Sequence, residues 1–289
     1  MKLDDERESD NFEDRRSSGG GMGRVGGVGI GTVVVALVAS YFLGIDPSTL
    51  LNVAQQVQGP STQSPGKPID PAKDPDAALK TEVRKVLAKT EDTWGQLFSQ
   101  MGSQYQRPKL VAYSGRTSTA CGAGEAAMGP FYCPGDQVVY LDMAFFREME
   151  QRFRAGGDFA RAYVIAHEIG HHVQKLTGIT DKTDAMRDRL SAKEYNKISV
   201  RVELQADCFA GAWAYHANKA KPFLDPGDVD EALKAANAIG DDMLQKQSRG
   251  VVVPDSFTHG TSQQRQRWFN QGLSVGDVNK CDTFSASVV

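Results

Sequence analysis

The sequence predicts a helix-rich α+β domain with a small β-sheet, preceded by a single transmembrane helix. An uncharged, aliphatic run extends from Val25 to Ile45. Beyond Leu79, apolar residues return every three or four positions through most of the chain, the signature of helices with one buried face. Only two stretches, 110–113 and 137–141, are short, β-branched or aromatic and bounded by Gly or Pro, as strands are.

Residues 1–24 carry seven acids and five bases, run into Ser17-Ser18-Gly19-Gly20-Gly21, and offer almost nothing apolar to bury, so they read as a disordered tail. The run at 25–45 follows without a charge. At about 1.5 Å per residue, a helix of this length spans about 30 Å, the thickness of a bilayer's hydrocarbon core. A cleaved signal peptide fits less well because no Ala-x-Ala-like site is evident after it; a buried glycine-rich core helix is the other alternative. Arg15, Arg16 and Arg24 precede the run, and no Lys or Arg occurs between Asp46 and Gly66. The positive-inside bias then leaves the amino terminus in the cytoplasm and exports the rest. Residues 46–78 hold six of the twelve prolines among Gln, Ser, Thr and Lys, the composition of an extended tether.

The remaining residues, 79–289, hold every histidine and cysteine and are long enough to bury a core. Val83, Val86, Leu87, Trp94, Leu97 and Phe98 mark a first helix over 79–101. The strands at 110–113 and 137–141 flank a glycine-rich loop containing Cys121 and Cys133. Asp158 is an N-cap for a helix that runs to about Leu176, where Gly178 is placed to end it. Further helices are expected at about 184–196, 200–219, 228–247 and 262–271.

Composition excludes several functions. With 33 Lys and Arg against 36 Asp and Glu, the net charge of -3 gives no basic field for nucleic acid phosphates. Four cysteines cannot scaffold 289 residues, but two bridges can form in an oxidising compartment. Cys121 and Cys133 bracket a loop of eleven residues that closes easily; Cys208 can pair with Cys281 or stay a buried thiol. No Cys-x-x-Cys spacing suggests a cysteine metal site.

The chemistry lies in His167-Glu168-Ile169-Gly170-His171, in the middle of an expected helix. Residues four apart differ by about 40° around a helix, so both imidazoles leave one face and can chelate one Zn²⁺. Glu168, about 100° round from His167, can flank the ion and take a proton from water. A catalytic zinc needs a third protein ligand and an open position. His172 points away from the face of His171, and His216 stands alone on a later helix. Gln174 and Thr177 stand where a metzincin would need Gly and His. What remains is Glu203-Leu204-Gln205-Ala206-Asp207, two acids four apart on a helix. Such a pair usually forms a solvated face. Here the small-sided run Ala206, Ala210, Gly211, Ala212 and Ala214 lets the helix lie close to a neighbour, and a buried acidic pair needs a cation. Glu203 is the candidate ligand, and Asp207 the acceptor for a ligand histidine's outer nitrogen.

These segments, with Phe257-Thr258-His259-Gly260-Thr261-Ser262, Arg265 and Gly129-Pro130-Phe131-Tyr132-Cys133-Pro134, resemble the putative neutral zinc metallopeptidase family of bacteria over nearly the whole chain. The resemblance implies a membrane-anchored, zincin-like domain of the gluzincin type. It further implies His167, His171 and Glu203 as ligands of one Zn²⁺ and Glu168 as general base. Gln137–Asp142 would be the cleft-edge strand that pairs with an extended peptide, although a plain core strand suits the same residues. His259 lies in a loop ahead of a helix and is the candidate to stabilise an oxyanion; Arg265 could do similar work or grip a substrate carboxylate. The expected activity is zinc-dependent hydrolysis of peptide bonds in a peptide or protein substrate. A non-catalytic zinc-holding module at the membrane and a zinc amidase acting on cell-wall peptides are the alternatives.

Overall fold

The computed structural model describes residues 1–16, 69–125 and 129–289. The transmembrane helix expected at 25–45 and most of the tether at 46–78 lie outside them. Among the described residues, no helix is long and apolar enough to cross a membrane.

Two sheets form. One has four strands in the order β1-β2-β6-β5, built from β1 (Phe12–Asp14), β2 (Lys109–Tyr113), β6 (Val138–Asp142) and β5 (Phe131–Cys133). β1, β2 and β6 run parallel, and β5 is antiparallel to β6. β3 (Arg116–Thr119) and β4 (Gly122–Glu125) make a separate hairpin. The strand expected at the cleft edge is therefore interior: every residue of β6 is buried between β2 and β5. Among the described residues the edge strands are β1 and β5, and β5 is too short for an alternating pattern to announce it.

The expectation of a disordered tail fails over its first sixteen residues. Phe12 pairs with Leu110 and Asp14 with Ala112 in the β1–β2 ladder. Charge holds the segment where apolar area is scarce. The buried guanidinium of Arg16 meets Asp74 Oδ2 at 2.5 Å, Asp76 Oδ2 at 2.9 Å and Asp14 Oδ2 at 2.6 Å. Burial raises and Arg16 lowers the Asp74 carboxyl, and Arg16 prevails, leaving it well below the usual range. A chain that crossed a membrane once between Arg16 and Ile69 would have β1 and β2 in different compartments, so a single crossing and this pairing exclude each other.

Helices pack over the sheet. α1 (Ala77–Gln100) buries Val83, Val86, Leu87, Trp94 and Leu97. α2 (Ala144–Gln151) and α3 (Asp158–Leu176) follow β6, and α3 is buried along most of its length. After the short α4 (Ile179–Asp184) comes α5 (Ala192–Ala220), one helix of 29 residues where two were expected. Ser191 and Glu194 cap it reciprocally, and no Gly or Pro interrupts 196–200. The helix expected over 228–247 is two, α6 (Asp228–Ala238) and α7 (Asp241–Arg249), because Asp241 restarts the chain beneath another loop. α8 (Ser262–Val275) ends the helical part, opened by a Thr261–Gln264 capping box.

Two glycines set the distances that matter. A Cβ on Gly170 of α3 would lie 2.9 Å from the Ala206 carbonyl of α5, so only glycine lets these backbones touch. A Cβ on Gly272 of α8 would overlap the Cys208 carbonyl, again on α5. α5 is thus gripped on two sides, and its acidic residues face both neighbours.

Candidate metal centre

The α3–α5 contact brings one nitrogen of His167, one of His171 and one oxygen of Glu203 within 4.8 Å of one another. His167 Nε2 lies 3.1 Å from Glu203 Oε2, and His171 Nε2 lies 3.5 Å from Glu203 Oε1. For bonds of 2.0–2.1 Å, the corners of a tetrahedron are about 3.3 Å apart, so the spacing suits zinc.

Protonation argues for a cation more strongly than distance does. Asp207 Oδ1 is 2.8 Å from His167 Nδ1, so that nitrogen donates and Nε2 presents a lone pair to Glu203. On His171 the same conclusion follows from two backbone carbonyls. The Cys281 carbonyl can only accept, so Gln205 Nε2 donates to it at 3.0 Å and Gln205 Oε1 faces Gln174. Gln174 Nε2 donates to that oxygen at 3.0 Å and to the Val202 carbonyl at 2.7 Å, leaving Gln174 Oε1 to accept from His171 Nδ1 at 2.9 Å. His171 Nε2 therefore also presents a lone pair. Three acceptors converge on one point, an arrangement that requires a proton or a metal ion between them. Burial pushes the His171 imidazole down, yet the adjacent Glu203 carboxylate carries it up to about 9. Burial likewise pushes the Glu203 carboxyl up, but His171 and His259 hold it well below the usual carboxylate range.

Asp207 is buried on the far side of His167. Burial raises its carboxyl, and Arg265 with His167 brings it down to about 2. Arg265 Nε and Nη2 reach its two oxygens at 2.9 and 3.0 Å, and Tyr163 donates its hydroxyl to Oδ1 at 2.5 Å. Arg265 also donates to the Ile239 carbonyl at 3.3 Å. Arg265 thus holds Asp207, Tyr163 and the Ile239 carbonyl together, and it also belongs to the lining of the cleft that the three ligands share.

Glu168 is buried, and its Oε2 has no hydrogen-bond partner. It lines a cleft of about 740 Å³ together with His167, His171, Glu203, His259 and the Gly129–Pro134 segment. His259 is held at the rim by Asp241, whose Oδ2 accepts the amides of Thr258, His259 and Gly260 at 2.7, 2.6 and 3.0 Å, while Oδ1 lies 3.3 Å from His259 Nδ1. Cys121–Cys133 and Cys208–Cys281 are disulfide-bonded. His216 bonds the Gly276 carbonyl at 2.6 Å, and His172 is buried away from the ligands.

Sequence reading missed Tyr163, Gln174 and Asp241. The first two had a local signal: Tyr163 precedes His167 by four residues on the same helical face, and Gln174 follows His171 by three. Asp241 had none, because a loop fold brings it to His259.

The family model for putative neutral zinc metallopeptidase matches residues 1–284. The uncharacterized protein YpfJ of Escherichia coli (strain K12) is 52% identical over 296 aligned residues, covering 100% of both chains. An uncharacterized protein of Mycobacterium tuberculosis (strain ATCC 25618 / H37Rv) is 39% identical over 258 residues, covering 86% of each. No solved structure matches. The residues that converge here lie inside the matched span, and the chain belongs to the putative neutral zinc metallopeptidase family.

Proposed function

We propose that this chain is a zinc-dependent endopeptidase. The supporting observation is the convergence of His167, His171 and Glu203 lone pairs beside a buried, unpartnered Glu168 oxygen at the floor of a cleft. A structural zinc site gains nothing from a base held in that position. Zinc held by the three ligands supplies Lewis acidity, polarising a carbonyl and acidifying a water molecule. Glu168 takes the proton as the water oxygen bonds to the scissile carbon, then passes it to the nitrogen as the C–N bond breaks. His259, oriented by Asp241, donates toward the oxygen that gains negative charge. The free edge of β5 offers main-chain hydrogen bonds to an extended peptide, so the substrate class is peptide or unfolded protein.

The domain is proposed to work outside the cytoplasm, where its two disulfides form. Attachment to a membrane through the apolar run at 25–45 is proposed as well, as an anchor whose two ends lie on one side of the bilayer and not as the single crossing that the sequence suggests. Because β1 pairs with β2, the amino-terminal strand then shares the domain's compartment.

Metal analysis of the full chain should give one zinc, lost in His167→Ala and Glu203→Ala. Glu168→Gln should retain zinc while cleavage of an unfolded protein falls by about 10²–10⁴-fold, the contribution of a positioned general base. Cleavage that persists at the wild-type rate would remove Glu168 from this role.

A further inference from the structure

We propose that His172 and Tyr132 form a bridge that sets the position of the substrate-binding edge strand relative to the metal helix; this rests on the peptidase reading above. The strand β5 has three residues, Phe131–Cys133, and among the described residues it pairs on one side only. Three ladder positions at a sheet edge hold a strand weakly, yet a 1 Å displacement of a substrate costs about a hundredfold in rate. Each residue of β5 has its own fastening. Phe131 stacks on Tyr140 with ring centroids 5.1 Å apart, and Cys133 is bonded to Cys121 of the hairpin. Those two side chains share one face of the strand and bind it to the sheet and the hairpin. Tyr132 projects from the other face, and its hydroxyl reaches His172 Nδ1 at 2.9 Å. It is the fastening that leads to α3.

His172 follows the ligand His171 directly, so its side chain leaves α3 about 100° round from the metal. It is fully buried. Its Nε2 lies 2.6 Å from the Gln106 carbonyl, which can only accept, so Nε2 carries the hydrogen and Nδ1 accepts from Tyr132. Tyr105 and Tyr132 meet the ring edge-on at 5.7 and 5.4 Å. A leucine would fill this space without the cost of burying an imidazole. The imidazole instead supplies one acceptor and one donor, joining the loop before β2, the metal helix and the edge strand at a single ring. Adjacent residues of α3 thus hold the metal and the strand that presents the peptide to it.

Among other side chains, glutamine best supplies both an acceptor and a donor from one group, which makes the idea testable in the zinc-loaded full chain. Tyr132→Phe and His172→Leu should raise KM for an extended peptide about tenfold more than they lower kcat, as expected for one lost hydrogen bond. A minimal substrate too short to lie along β5 should show no such rise, and zinc content should stay at one. His172→Gln should restore KM to within about twofold, and the Tyr132→Phe/His172→Leu double variant should be no worse than either single one. Equal losses on both substrates, or a His172→Gln variant no better than His172→Leu, would overturn the bridge. If the wild-type chain cleaves nothing, the peptidase reading fails separately, and amide hydrogen exchange at 131–133 decides the bridge. Faster exchange in Tyr132→Phe with wild-type exchange in His172→Gln sustains it; unchanged exchange in Tyr132→Phe overturns it.

Discussion

The two candidate ligand histidines are aimed by opposite chemistry. Behind His167 stands a charged arm, in which Asp207 accepts from Nδ1 and is itself neutralised by Arg265 and bonded by Tyr163. Behind His171 stands a neutral arm of two amides, Gln174 and Gln205, ending on the carbonyls of Val202 and Cys281. Both arms fix the tautomer that points Nε2 at Glu203. Only the first passes negative charge into the imidazole and strengthens it as a donor. The difference explains the chain's economy. A buried carboxylate needs a cation, so the charged arm depends on α8 pressed against α5 across Gly272. The amide arm needs no partner charge and can be closed by backbone alone.

Breaking the charged arm should have the largest effect. Asp207→Ala strands the buried Arg265 guanidinium, which should cost about 3–5 kcal/mol in chemical denaturation. The same change should weaken zinc binding about 10- to 100-fold in a competitive chelator titration, the usual loss when a ligand's outer partner is removed. Asp207→Ala/Arg265→Met separates the two consequences: stability should return while zinc affinity stays low. Recovery of both would mean that Asp207 serves the fold and not the ligand.

Breaking the neutral arm should cost less. Gln174→Leu leaves the His171 Nδ1 hydrogen and Gln205 Oε1 without the partners that Gln174 supplies, a penalty of about 1–3 kcal/mol. Zinc affinity should fall about tenfold, the lower end of the range for outer-shell changes, because orientation is lost without loss of charge. A larger loss of affinity than in Asp207→Ala would reverse the ranking of the arms.

What the sequence made legible is what a single helix turn can encode. His167, Glu168 and His171 share a turn, and Glu203 and Asp207 share another, so their spacing specifies a face before any fold is known. Tyr163 and Gln174 lie on the same face and were legible in principle; each is an ordinary residue until the carboxylate or amide it meets is placed. Asp241 and Arg265 belong to contacts made across loops and helix packing, which no periodicity reports. Composition also misread residues 1–16. A segment with few apolar side chains reads as a tail, but Arg16 with Asp74 and Arg7 with Asp92 is a complementarity between distant positions. The strand β5 escaped because three residues cannot display a period.

The smallest expected effect is also the sharpest division between the arms. Tyr163 and Arg265 draw on the same carboxylate that His167 uses, so each donor leaves less negative charge for the imidazole. Tyr163→Phe keeps the buried ring against Phe269 and removes only the hydroxyl. Stability should fall by about 1 kcal/mol, the net worth of one hydrogen bond. Zinc affinity should hold or rise, by no more than about threefold, because Asp207 then bonds His167 more strongly. In the neutral arm no such opposition exists, since Gln174 gives each neighbour a separate donor or acceptor, and stability and affinity must fall together. Denaturation and chelator titration of Tyr163→Phe beside Gln174→Leu therefore test the charge argument itself: if Tyr163→Phe loses zinc affinity in step with stability, Asp207 aims His167 by geometry alone and the two arms are equivalent.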